Sequence, residues 1–162
     1  MSDGLFPDLR WHHVGFSVAD IETAVAFYGE VFGLEVEDRK HIAPLNMHLA
    51  FLRRGDFRME FFQKAGSAPV PEHRKRPNTD LAEQGTKHPC FSVGDCQAAL
   101  ETLHARPDCA IIGIIRRPGD PMAVEADPVL RPGDPRPPAA AFFFRDPCDL
   151  IVEIVRADVF PA

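Results

Sequence analysis

Between positions 21 and 32 the apolar residues Ile21, Ala24, Val25, Tyr28, Val31 and Phe32 recur at helical spacing and make one stripe. Asp20 stands where a carboxylate accepts the free amide hydrogens of a first turn, and Gly33 suits the left-handed residue that closes a last one. The pattern predicts a helix here. A shorter stripe of Ala99, Leu100 and Leu103 follows Asp95 and stops before Pro107, which predicts a second. Short apolar or alternating runs predict strands at about 34–40, 47–53 and 57–63, and again at 109–116, 139–145 and 150–156. Gly55 and Asp56 make the turn between two of them, and Asp146, Pro147 and Cys148 help form the last turn.

The two sets of elements are copies. Shifted by 75 positions, HHVGFSVADIETAV from His12 aligns without gaps on KHPCFSVGDCQAAL from Lys87. His13 meets His88, and Asp20 meets Asp95. MEFF at the end of the first copy corresponds to VEIV at the end of the second, so Glu60 corresponds to Glu153, 93 positions on. A longer irregular loop at 118–138, rich in Pro, Gly and Asp, accounts for the difference. The fold class expected is α+β: two β-α-β-β-β modules, at about 9–64 and 87–157, joined by a polar linker at about 65–86 within a single domain spanning 1–162.

Strand alternation then sorts the side chains. His13, Gly15 and Ser17 share one face of the first strand, with Val14, Phe16 and Val18 under the helix; His88, Cys90 and Ser92 repeat the arrangement. On the closing strands Glu60 and Glu153 fall on the face away from Met59, Phe61, Val152 and Ile154. A glutamate inside so apolar a strand is costly unless paired, protonated or bound to a cation. Two imidazoles and two carboxylates suit zinc, nickel, cobalt, manganese or iron(II), and the ligand set does not select among them. Taken singly, a buried histidine is more often a hydrogen-bonded core residue, and a strand glutamate more often faces solvent. The recurrence of both residue types at matched positions favours His13, Glu60, His88 and Glu153 as ligands of one divalent ion.

Composition narrows the function classes. The chain has 162 residues and a formal net charge of −6, with no basic and aromatic stripe, which argues against a nucleic-acid surface. No apolar run approaches the roughly 20 residues that span a bilayer, and the first residues lack the apolar core of a secretory signal, so a soluble cytoplasmic protein is expected. Cys90, Cys96, Cys109 and Cys148 form no CxxC pair; free thiols, mostly small buried hydrophobes, are expected. The basic run at 73–76 reads first as a solvated linker and second as an anion site. Arg10, Arg58 and Arg145 are candidate anchors for an anionic substrate. Phe143 or its neighbours are candidates for a pocket wall, and the 118–138 loop is either a lid or a mobile surface excursion.

At the residues just named, HHVGFSVADIETAVAFYGEVFGLEV resembles the opening of the vicinal oxygen chelate superfamily, and FFRDPCDLIVEIV resembles its closing strand pair. Members include glyoxalase I, methylmalonyl-CoA epimerase, extradiol ring-cleaving dioxygenases and the bleomycin and fosfomycin resistance proteins. The resemblance runs from about residue 11 to 156. In the closing turn, where the family often has a Gly-Asn pair, Asp149 and Leu150 stand instead. The resemblance implies an open eight-stranded cup with helices outside, often as a homodimer, with His13, Glu60, His88 and Glu153 at the ligand positions. It also implies a small-molecule substrate gripped through its oxygen atoms by the metal.

Three readings of function follow. The first is metal-assisted proton transfer next to a carbonyl, by a lyase or isomerase of glyoxalase or epimerase type, with Glu60 or Glu153 as general base. The second is ring-opening oxygenation by iron(II), with His13, His88 and Glu153 as a facial triad and His48 as a candidate acid–base group. The third is a metal-free, drug-binding resistance protein. The linker sequence RPNTDLAEQGTKH resembles epimerase-like members more than glutathione-dependent ones, and no glutathione-binding set is found.

Overall fold

A computed structural model describes residues 5, 8–77 and 84–159, so part of the expected linker, 78–83, lies outside the described residues. The chain divides into two compact units, Met1–Pro69 and Val70–Ala162. In the first, β1 (Val14–Ser17) leads to α1 (Ile21–Phe32), then β2 (Glu35–Ile42), β3 (Met47–Arg54) and β4 (Phe57–Lys64). In the second, β5 (Cys90–Val93) leads to α2 (Cys96–His104), then β6 (Ala110–Ile115), β7 (Ala141–Arg145) and β8 (Ile151–Arg156). Each unit forms its own four-stranded sheet, ordered β1-β4-β3-β2 and β5-β8-β7-β6. In each, the first strand lies parallel to the last and the other pairs are antiparallel. The eight strands and two helices are those the sequence predicts. One-turn helices at Ala43–Leu45 and Glu72–Arg74 carry too few residues for any periodicity to announce them.

Local chemistry sets the helix ends. The Asp20 carboxylate accepts the amide of Glu22 at 2.9 Å, and Asp95 accepts that of Ala98 at 2.9 Å. Gln63 adds a second acceptor for α1, taking the amide of Ile21 at 2.9 Å and so tying the helix start to β4. Gly33 closes the helix at φ 63°, its amide directed at the Gly29 and Tyr28 carbonyls. Arg54 donates to the Phe32 carbonyl at 2.8 Å, satisfying another acceptor at that end.

Each helix covers one face of its sheet. Ile21, Ala24, Phe27 and Tyr28 of α1 are buried with Ala50, Leu52, Met59 and Phe61 of the strands below. In the second unit Leu100 and Leu103 are buried with Ile114, Phe142, Phe144, Val152 and Ile154. The opposite faces carry His13 and Glu60 in one unit and His88 and Glu153 in the other.

The 118–138 segment is not a loose excursion but a packed insertion. It runs back along β6, where Ile114 and Ala123 exchange backbone hydrogen bonds of 2.7 and 2.9 Å. Arg116 gathers it from the helix side, donating to Glu125 at 2.8 and 2.5 Å, to the Pro137 carbonyl and to the Gln97 side chain of α2. Arg136 adds bonds to Glu125 and Asp134, and Pro128 is fully buried. On the other face Met122 lies over Gly113, where a β-carbon would fall 2.2 Å from its sulfur. Gly113 therefore exists to let the insertion pass.

Of the four cysteines, all free, only Cys96 is a buried hydrophobe, its thiol pushed up to about 12 by burial. Cys109 and Cys148 are half-buried and Cys90 is exposed, because Cys90 falls on the open face of β5. That corrects the expectation of mostly buried thiols.

The Glu125 cluster yields a measurable consequence. Hydrogen bonding from Arg116 holds the Glu125 carboxyl below its ordinary value of 4.5. Its stabilisation is therefore complete above pH 4.5 and is lost as pH falls through the lowered folded value. Glu125→Gln leaves two arginines short of a charged acceptor, at a cost of about 2 kcal/mol near neutrality in urea unfolding. The gap between wild type and variant is expected to close as pH drops below 4.5, and a gap that stays constant down to pH 3 would contradict this account.

Candidate functional site

In each unit the ladder that joins the first and last strands brings a histidine to a glutamate. Gly15 pairs with Glu60 in the β1–β4 register, and His13 Nε2 lies 3.1 Å from Glu60 Oε2. Cys90 pairs with Glu153 in the β5–β8 register, and His88 Nε2 lies 3.1 Å from Glu153 Oε2. The third strand completes the likeness. Phe51 is the β3 partner of Glu60 and stands edge-on to His13, with ring centroids 5.3 Å apart. Phe143 is the β7 partner of Glu153 and stands edge-on to His88 at 5.1 Å. Of the three phenylalanines at 142–144, Phe142 and Phe144 belong to the core and Phe143 to the site face, as alternation requires.

Burial makes these pairs consequential. The Glu60 side chain is 12% exposed and that of Glu153 20%. His88 holds the Glu153 carboxyl below its ordinary value, against the opposing effect of desolvation, and Cys90 adds to the lowering. Cys90 is exposed as a residue, yet the atoms packed around its sulfur and the adjacent Glu153 carboxylate push its thiol up to about 12. His13 has a further neighbour: its Nδ1 lies 2.7 Å from Nδ1 of His12, so the imidazole is held at both nitrogens. Sequence reading missed this contact; the adjacent histidines were its only signal.

The donor chemistry fits a metal ion. Two cis ligands on one ion, each about 2.1 Å from it, stand roughly 3 Å apart. That is the separation found in both pairs. Among the described residues no group of three or more His, Cys, Asp or Glu side chains is arranged around a common point. The structure thus brings His13 to Glu60 and His88 to Glu153, each pair within its own unit.

The other sequence candidates fare differently. His48 lies on the helix side of its sheet, with Ala50 and Leu52, and not on the face of Glu60. The register set by the Ala43–Leu45 turn puts it there, which removes it as an acid–base partner for the pair. Arg58 is engaged by Glu37 at 2.7 and 3.0 Å, and Arg145 by Asp149 at 3.2 Å, so neither is an open anion anchor. Arg10 is exposed. Within the basic run, Lys75 is tied to Glu72 at 2.7 Å and to Asp149 at 3.0 Å, which makes it a structural contact. Asp149 itself takes φ 63°, a conformation aspartate tolerates, so the closing turn keeps its shape without glycine or asparagine. A cleft of about 500 Å³ opens elsewhere in the first unit, walled by Glu35, Glu37, Arg53 and Arg54, and holds none of the paired residues.

Comparison with known proteins bears on this geometry. A model of the Glyoxalase/Bleomycin resistance protein/Dioxygenase superfamily matches residues 12–107. The chain is 32% identical over 133 residues to 2-epi-5-epi-valiolone epimerase from Actinomyces sp, covering 73% of this chain and 67% of that one. It is 30% identical over 95 residues to mitochondrial methylmalonyl-CoA epimerase from Bos taurus, covering 58% and 52%. The chain thus spans about half the length of that relative. Among solved structures it resembles the trypanothione-dependent glyoxalase I of Leishmania major, with a TM-score of 0.64 at 16% identity, covering 94% of this chain and 89% of the other. A glyoxalase family protein from Bacillus cereus gives 0.62 at 16% identity, covering 91% and 93%.

The two site faces are not identical, and the difference is a trade of volume. A β-carbon at Gly15 would sit 2.8 Å from the Phe62 ring. The matching positions in the second unit are Cys90 and Val155, a larger residue against a smaller one. Gly15→Ala is therefore expected to destabilise the protein by about 1–2 kcal/mol in denaturant unfolding. Adding Phe62→Val should return most of that loss, and a double-mutant cycle showing simple additivity would refute the trade.

Proposed function

Because the chain belongs to the glyoxalase/bleomycin resistance protein/dioxygenase superfamily, we propose that it is a metal-dependent isomerase, epimerising the carbon next to a carbonyl group of a small substrate. The observation that carries this reading is the doubled His–Glu pair, each at 3.1 Å and each backed by an edge-on phenylalanine. We assign His13, Glu60, His88 and Glu153 as the ligands of one divalent ion. Such an ion supplies Lewis-acid stabilisation of the negative charge that develops on a carbonyl oxygen when the adjacent carbon loses its proton.

The residues supply the rest. Epimerisation takes a proton from one side of a carbon and returns one to the other, so it calls for two groups that hold and release protons. We assign that work to Glu60 and Glu153, each of which would release the ion in order to take up a proton. With its pKa lowered by His88, the Glu153 carboxylate is ionised, the form in which it can hold a cation. Phe51 and Phe143 stand T-shaped to the two histidines and give each pair an apolar neighbour. Two matched relatives are epimerases by name, a 2-epi-5-epi-valiolone epimerase and a methylmalonyl-CoA epimerase, and both names fit proton transfer beside a carbonyl.

The equivalence of Glu60 and Glu153 favours this reading over an iron(II) oxygenase, which needs only one carboxylate beside its two histidines. The position of His48 on the helix side points the same way.

Metal analysis of the purified protein is expected to give one divalent ion per chain, lost in His13→Ala and in His88→Ala. In deuterated water, proton NMR should show loss of the hydrogen next to the carbonyl of 2-epi-5-epi-valiolone or of methylmalonyl-CoA. Glu60→Gln and Glu153→Gln should each slow that exchange by about 100-fold or more. Oxygen uptake with catechols in the iron(II)-loaded protein, with no exchange of either carbonyl compound, would overturn the assignment in favour of the oxygenase.

A further inference from the structure

A second pair of imidazoles lies away from the His–Glu faces. His41 of β2 and His48 of β3 are direct partners in the antiparallel ladder. Both are exposed, and their rings stack with centroids 4.4 Å apart and planes 20° from parallel. They sit near the closed end of the β2–β3 hairpin, which turns through Ala43–Leu45 and the left-handed Asn46. His48 shares the helix side of the sheet with Ala50 and Leu52, so the pair is on the opposite face from Glu60.

We propose that His41 and His48 form a bidentate surface site for a transition-metal dication that favours imidazole, with copper(II) preferred over nickel(II) and zinc(II). Directly opposed residues on antiparallel strands hold their β-carbons about 5 Å apart. Two imidazole nitrogens on one ion stand roughly 3 Å apart. Rings already 4.4 Å apart reach that separation by side-chain rotation, with no movement of either strand. The flanking pairs Lys40 with Leu49 and Ile42 with Met47 fix the register, so the second ligand is in place once the first binds. Water completes the coordination.

The surroundings do not oppose a cation. Arg39, two residues before His41 on the same face, is engaged by Glu22 of α1. Gln63, the β4 partner of His48, is committed to the amide of Ile21. As a simple aromatic staple the pair would be poorly chosen. Two stacked imidazoles repel once both are protonated, whereas two phenyl rings would hold the hairpin at any pH. Chelation is the property that this pair has and a phenyl pair lacks.

The test uses metal-free full chain titrated with copper(II) and with nickel(II) by calorimetry, for wild type, His41→Ala, His48→Ala and His41→Phe. His41→Phe keeps an aromatic stack at the hairpin end and controls for loss of structure. Wild type is expected to bind one more ion than any of the three variants, or to bind it at least about tenfold more tightly, as expected when one of two imidazole ligands is removed. Copper should selectively broaden the ring-proton NMR signals of His41 and His48 in wild type, and should do so equally in Glu60→Ala, which separates this site from the His13–Glu60 pair. Equal stoichiometry and affinity in wild type and His41→Phe, or broadening confined to other histidines, would overturn the proposal.

Discussion

A carboxylate set into the middle of an apolar strand governs this structure. Glu60 stands between Met59 and Phe61, both fully buried, and Glu153 stands between Val152 and Ile154. Leaving such a group unpaired costs several kcal/mol, so the fold must bring it a partner. Parallel pairing of the first strand with the last does this in both units. The strand that carries the histidine is laid beside the strand that carries the glutamate, and the ladder register puts them 3.1 Å apart. The helix position follows, because the strand's other face needs an apolar cover. Architecture and chemistry are in this sense one requirement met twice.

The two halves have diverged around that requirement without disturbing it. The first unit pairs Gly15 with a bulky neighbour, and the second pairs Cys90 with a slighter one. His13 has His12 at its second nitrogen, whereas Lys87 occupies the matching position before His88. The second unit also carries the inserted segment, anchored by Arg116 to α2 and laid across Gly113. The faces bearing the pairs therefore differ: one is lined by Phe51, Lys40 and Asp38, the other by Phe143, Ile115 and Met122.

Much of this could be read from the chain. The capping aspartates Asp20 and Asp95, the closing Gly33 and the alternation along the first and last strands are local signals, and the structure follows them. The equivalence of His13 with His88 and of Glu60 with Glu153 was legible because the repeat supplied the long-range information that a single copy lacks, whereas the contact of each histidine with the glutamate of its own unit comes from the strand register. What escaped depends on register or on distant partners. The side on which His48 falls is set by how a one-turn helix closes the hairpin. The network of Arg116, Glu125 and Arg136 joins residues whose spacing follows no period, so a Pro-rich stretch read as irregular proves to be packed. Residue type suggested mostly buried thiols, although alternation already placed Cys90 beside His88 on the open face.

The insertion has an effect on solubility. A sheet edge offers unpaired backbone donors and acceptors to any passing strand, a standing invitation to aggregate. In the second unit the hydrogen bonds between Ile114 and Ala123 occupy part of that edge with the chain's own backbone. In the first, β2 is the corresponding border and has no such cover among the described residues. It instead carries the charged sequence Glu35, Glu37, Asp38, Arg39 and Lys40 and a bulge between Val36 and Asp38. One copy of the hairpin guards its border by occupying it and the other by making it electrically and geometrically unattractive. Deleting the insertion to restore symmetry would consequently bare an apolar border, Ala-Ile-Ile-Gly-Ile-Ile, that has no charges with which to defend itself.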